Sequence, residues 1–124
     1  LIGNDDEFGV LANNFEKGMK TAKELSSEVS IVIYKKGERG SVTFYDNKQI
    51  NKGVFLVKAL KPTGAGDAFM GSFIGGLLNN KNIEESIEYG SASAAIVVTK
   101  VGCAPAMPLL YEIEEFMKLN KISN

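Results

Sequence analysis

Three features of the sequence predict an α/β fold. A helix-spaced apolar run opens the chain, short β-branched runs broken by turns follow, and three more helical patterns close it. Helices flanking a group of strands suit a layered α/β domain, here about half of one. A length of 124 residues is enough for one domain with one core.

The elements can be read in order. Leu1 and Ile2 read as the tail of a strand whose start is missing, and the chain opens without methionine. A piece of a longer protein is therefore expected. Phe8, Leu11, Phe15, Met19 and Ala22 are spaced as one helical face. Asp5 and Asp6 place negative charge where a helix start favours it, while Gly9 and Gly18 weaken the helix. Val29 and Ile31–Tyr34 form a strand, "KKGERG" a turn, Val42, Phe44 and Tyr45 a second strand, and "YDNKQ" another turn. "GVFLVKAL", residues 53–60, reads as a third strand. From Gly64 to Leu78 the pattern is helical and rich in small residues. Residues 83–99 form a helix that starts charged and turns apolar, so its later part is expected to be buried. "KVGCAPAMP" is a loop, and Pro108 sits early in a last amphipathic helix with Leu109, Ile113, Phe116 and Met117.

Composition excludes several functions. Fourteen basic and 15 acidic residues, well mixed, give a net charge of −1 and no clustered footprint for nucleic acid. At 44% hydrophobic and 23% charged, with no apolar run of spanning length and no signal-peptide pattern, the chain reads as an ordinary soluble globular protein without membrane partners, and its one cysteine suggests a reducing compartment such as the cytoplasm. A single cysteine, Cys103, rules out an internal disulfide and reads as a small buried hydrophobe among small neighbours. With no histidine, a general base must be a carboxylate, Lys, Tyr or Cys.

The stretch "KPTGAGDAFMGSF", residues 61–73, carries the chemistry. Gly64, Ala65 and Gly66 let backbone N–H groups approach a ligand, and at a helix start they make a pocket for phosphate or a developing oxyanion. Asp67 follows in the first turn, where a carboxylate can take the proton of an alcohol attacking phosphorus while the N–H groups stabilise the transferring charge. The same residues also suit a plain strand-to-helix turn with an aspartate complementing the helix dipole. The stretch is neither a Walker loop nor GxGxxG, since no GxxxxGK[ST] occurs and Phe69 stands where a third glycine would be.

Here the sequence resembles the PfkB/ribokinase family of carbohydrate kinases over essentially all 124 residues, as the C-terminal portion of such a kinase. "KPTGAGDAF" is similar to the family's D-T-x-G-A-G-D signature apart from its first positions, "NDDE" to N-x-x-E, "KKGERG" to K-x-G-x-x-G, and "GSASAAIVVTKVGCAPAMP" to the closing helix and loop. The resemblance implies a ribokinase-like three-layer α/β/α fold with a mainly parallel sheet, and a kinase using ATP and Mg2+ on a sugar or sugar acid. It implies Asp67 as catalytic base and Gly64, Ala65 and Gly66 as anion hole. Asn4 and Glu7 are implied to organise Mg2+ and phosphates, mostly through water. Residues three apart share a helix face, which supports the pair physically; the competing reading is an N-cap with a first-turn Glu. Lys35, Gly37 and Gly40 match nucleotide-loop positions, or a plain hairpin turn. Ser91 falls near the nucleotide in relatives, or serves only as a packing residue.

Two departures stand out. Lys61 replaces the first Asp of the signature, which ligates a monovalent cation in some relatives, and Ala106 stands where those often have Ser. Lys61 is thus a candidate substitute for the cation, or a solvated lysine with no role, and no potassium requirement is expected. Within the family, "LKPTGAGDAFMGSFI" and "GCAPAMP" look most like the members that phosphorylate the C6 hydroxyl of 5-dehydro-2-deoxy-D-gluconate in inositol catabolism. Other members acting on sugars or nucleosides, and a non-catalytic nucleotide-binding fragment, are the competing readings. The resemblance implies that the N-terminal portion, which carries the sugar site and lid in such kinases, is not part of these 124 residues. The isolated chain is therefore expected to self-associate or bind that missing half, and to lack activity alone.

Overall fold

The computed structural model describes residues 1–57, 64–99 and 108–123, and the chain divides into two compact units, Leu1–Gly53 and Val54–Asn124. The first holds strand β1 (Ile2–Asn4), helices α1 (Asp5–Ala12) and α2 (Gly18–Leu25), and strands β2 (Ile31–Lys35), β3 (Ser41–Tyr45) and β4 (Lys48–Lys52). They form one sheet in the order β1-β2-β3-β4. β1 and β2 run parallel, joined by the two helices, while β2–β3 and β3–β4 are antiparallel. The sheet described is thus mixed.

Alternation along the strands builds the core of this unit. Val32 and Tyr34 of β2 and Val42 and Phe44 of β3 meet Phe8 of α1 and Ala22 of α2. Full burial of such large apolar side chains stabilises by about 1.5–3 kcal/mol each. Phe8 stacks on Tyr34 with ring centroids 5.1 Å apart.

Two local expectations need correction. The single helix predicted from "NDDEF" to "ELSS" is broken: Asn13 adopts a left-handed conformation (φ 54°) and closes α1, its N–H donating to Val10 O at 3.1 Å. Asn14 then caps a short 3-10 turn, accepting from Glu16 N at 2.8 Å, before α2 begins. Asparagine tolerates both positions, so the break lies in the pair itself. The expected Phe15 side chain in the apolar face lies outside what the structure describes.

The third strand also lies earlier than predicted, at Lys48–Lys52. Asp46 and Asn47 both have positive φ (51° and 56°), the two-residue loop whose twist matches a hairpin, and Tyr45 pairs with Lys48 directly across it. Within residues 53–57 only Phe55 pairs, in an isolated antiparallel bridge with Ile122, and residues 58–60 lie outside the described residues.

The second unit holds α3 (Ala65–Leu78), α4 (Ile83–Val98) and α5 (Leu110–Leu119). α4 starts at Asn82, whose side chain accepts from Glu85 N at 2.8 Å. As expected, Ala92, Ser93, Ala95 and Val97 in its later part are buried. Tyr89, Ala92 and Ala95 pack with Ile113 of α5 and with Phe55, which meets Phe116 edge-on at 5.3 Å. Pro108 precedes α5 by two residues, and Leu109 N donates to Glu112 Oε1 at 3.0 Å. The rest of the "KVGCAPAMP" loop, with Cys103 and Ala106, lies outside the described residues, as does Lys61.

Small residues bring α3 and α4 close. A Cβ on Gly76 would stand 2.7 Å from Ser86 Oγ, and one on Gly90 2.9 Å from the carbonyl oxygen of Phe69. That second neighbour is backbone, two residues past Asp67, so it cannot yield without moving the start of α3. Gly90→Ala should therefore destabilise the chain by about 1–3 kcal/mol through overpacking. A urea midpoint equal to that of the unsubstituted chain would show that the helices have room to spare.

Candidate functional site

Gly64 is the N-cap of α3 and takes φ 88°, a left-handed conformation open to glycine without strain. Space is not the constraint, because a Cβ there would only touch Val97 Cγ1 at 3.4 Å. The first intrahelical bond runs from Ala68 N to Gly64 O at 3.0 Å. The N–H groups of Ala65, Gly66 and Asp67 thus have no partner within the helix and face its open end. Ala68, Phe69, Ser72 and Phe73 bury the opposite side of α3, and Asp67 is exposed. Its carboxylate is held at the helix mouth by a buried face to which it contributes nothing.

A second group of predicted residues gathers at the other unit's sheet. Because β1 and β2 are parallel, they end side by side, with Asn4 opposite Lys35. The crevice outside the carboxyl ends of such strands is where open α/β sheets bind ligands. Asn4 caps α1: its Oδ1 accepts from Glu7 N at 2.9 Å, and its own N–H donates to Glu7 Oε1 at 3.1 Å. The reciprocal capping box that competed with the functional reading is therefore present. Past Lys35 the chain folds into a tight loop closed by Lys36 N to Gly40 O at 2.7 Å and Gly40 N to Gly37 O at 3.1 Å. Gly37 and Gly40 both have positive φ, 59° and 86°. A Cβ on Gly40 would lie 2.0 Å from Lys52 O, so contact with β4 adds to the demand of its positive φ, whereas the space over Gly37 is open. Ser91 lies half-buried on α4, next to Gly90.

No cluster of three acidic or other metal-ligating side chains exists among the described residues. With Oε1 of Glu7 committed to its cap, these side chains suit an ion that keeps most of its own water, which magnesium does.

Sequence reasoning missed one arrangement beside this group. The Tyr34 hydroxyl donates to Asp5 Oδ1, and Arg39 Nη2 reaches Asp5 Oδ2 at 3.3 Å. Burial, reinforced by the Asp5 carboxylate, pushes the Tyr34 hydroxyl from 10.0 up to about 12. The folded state thus favours the neutral phenol. Its contribution to stability is whole below about pH 10 and is lost as pH rises toward 12. Urea titrations across that window should show a steeper loss of stability for the chain than for Tyr34→Phe; parallel curves would contradict the shift.

A model of the pfkB family carbohydrate kinases matches residues 1–110. The chain belongs to this family. Among curated relatives of this pfkB chain, 5-dehydro-2-deoxygluconokinase of Bacillus anthracis is 36% identical over 124 residues, 95% of the chain. The chain spans only 37% of that relative's length. The crystal structure of a ribokinase from Thermotoga maritima superposes with a TM-score of 0.86 at 36% identity, over 95% of the chain and 41% of the ribokinase. A ribokinase of Arabidopsis thaliana, solved with ribose and ATP, gives 0.82 at 26% identity, over 95% and 40%. The ribokinase-like α/β fold expected from the sequence is thus shown. No helix among the described residues is long and apolar enough to cross a membrane.

Proposed function

We propose that residues 1–124 form the ATP-binding, catalytic-base portion of a kinase that phosphorylates a carbohydrate hydroxyl. The observation that carries this reading is the mouth of α3, where three N–H groups without helical partners sit beside the exposed carboxylate of Asp67. Asp67 accepts the proton of the acceptor hydroxyl as its oxygen attacks the γ-phosphorus and the bond to the ADP oxygen breaks. Gly64, Ala65 and Gly66 form the anion hole, where the free N–H groups at the start of α3 meet the charge on the transferring phosphoryl group. Lys35, Gly37, Gly40 and Ser91 are the nucleotide side. Asn4 and Glu7 would hold Mg2+ mostly through water, and the ion, when bound with ATP, neutralises phosphate charge.

The acceptor we favour is the C6 hydroxyl of 5-dehydro-2-deoxy-D-gluconate, a step of inositol catabolism; the curated relative at 36% identity supports it. Ribose is the second reading, supported by the ribokinase of equal identity and TM-score 0.86. We propose that the groups that select between them lie in the portion of the longer relatives that this chain does not match. We further propose that the working protein is a longer polypeptide of the cytoplasm, and that this chain alone is inactive and prone to self-association.

Phosphorylation of a panel of 5-dehydro-2-deoxy-D-gluconate, ribose, fructose and nucleosides by the full-length polypeptide tests the assignment. Highest kcat/KM for the keto acid is expected. Preference for ribose would replace the acceptor, and phosphorylation of none would remove the kinase reading. Rates in potassium and in sodium should agree, because the Lys61 ammonium is proposed to stand in for the cation.

A further inference from the structure

We infer that Asp5 is a positioning residue that ties the Lys36–Gly40 loop to the first turn of α1, fixing the loop's distance from Asn4 and Glu7. The inference rests on the nucleotide-binding role proposed for that loop. Asp5 spends its two carboxylate oxygens on two different elements: Oδ1 on the Tyr34 hydroxyl at the end of β2, Oδ2 on Arg39 in the loop. It stands between Asn4 and Glu7 in one helical turn, so whatever holds Asp5 also holds that pair.

The two partners are unequal. Tyr34 is 4% exposed, stacked on Phe8, and its hydroxyl would lie 3.1 Å from a Cβ on Gly18, so glycine there makes the room it occupies. That hydroxyl is a fixed post. Arg39 is the outer arm, its side chain 70% exposed against 49% for Asp5. An ion pair so exposed adds little to stability. Its effect is on where the loop sits: Arg39 lies between Gly37 and Gly40, and its own N–H donates to Lys36 O at 3.1 Å within the same turn. Holding the guanidinium therefore holds the turn.

The test uses the full-length polypeptide and the variants Asp5→Ala, Asp5→Asn, Tyr34→Phe and Arg39→Gln. Calorimetry reads the Kd for ATP, and steady-state kinetics read KM and kcat. Arg39→Gln should raise Kd and KM for ATP about fivefold, the scale of one net hydrogen bond, with an unchanged melting temperature. Its kcat should stay within about twofold, the signature of lost binding rather than lost chemistry. Asp5→Asn keeps an oxygen for Tyr34 and should be milder than Asp5→Ala. Asp5→Ala combined with Tyr34→Phe should be no worse than Asp5→Ala alone, since both act through one carboxylate. If the unsubstituted protein binds ATP and Arg39→Gln binds it equally well, or if the effects of Asp5→Ala and Tyr34→Phe multiply, the positioning role is overturned while the proposed function stands. If the unsubstituted protein binds no ATP, both fall.

Discussion

Asp67→Asn in the full-length polypeptide should lower turnover by about two orders of magnitude or more, the scale of general-base catalysis. The substitution keeps the shape of the side chain and removes its ability to take a proton. Little else should change. Gly64, not Asp67, is the N-cap of α3, and the helix is anchored by Ala68, Phe69, Ser72 and Phe73. Losing the charge in the first turn costs about 0.3–1 kcal/mol of helix stability, so the fold should survive. The N–H groups proposed to receive the phosphoryl charge belong to the backbone and remain, so the Kd for ATP should stay close to that of the parent. The decisive comparison is kcat at saturating ATP and sugar, beside Kd from calorimetry. Turnover near the parent value would strip Asp67 of its role and leave the aspartate as a complement to the helix dipole.

Legibility in the sequence followed the range of the interactions. Gly64 at a left-handed helix cap could be read from a glycine before a helical pattern, because the demand is local. Asn4 and Glu7, three apart, were legible as a pair, and both readings of the pair predict the side chains on one helix turn. β4 escaped because "KQINK" carries one apolar residue and is mostly exposed, so no apolar alternation marks it in the sequence. Its signal is the Asp46-Asn47 pair, which marks a turn in the sequence and becomes the centre of a hairpin only with both residues at positive φ. The break at Asn13 was hidden by an apolar spacing that runs on through it. Asp5, Tyr34 and Arg39 were beyond reach for another reason: they lie 29 and 34 residues apart along the chain and meet only once β1 and β2 are paired. The Gly90 approach to Phe69 is similar, since small residues announce a close contact without naming its partner.

The stability change expected to be largest is at Gly40. Two independent demands meet there. The residue has φ 86° and ψ −143°, a region essentially reserved for glycine, where another residue carries about 1–3 kcal/mol of strain. A Cβ would also stand 2.0 Å from Lys52 O and 2.9 Å from Gly53 Cα, both main-chain atoms. Neither can swing aside like a side chain. Lys52 pairs with Ser41, the residue next to Gly40, so relief would require prising β4 from β3 at that end. Gly40→Ala should therefore cost about 3 kcal/mol or more, strain and overpacking together. Gly37→Ala is the internal control. It shares a positive φ, 59°, but has nothing within 4 Å of the added carbon, so only the left-handed penalty of about 1–2 kcal/mol remains. Urea denaturation of the two variants beside the parent separates the terms: a midpoint for Gly40→Ala well below that of Gly37→Ala is expected. Equal midpoints would mean that β4 does not press on the loop, and would leave the positive φ as the demand on Gly40, as it is on Gly37.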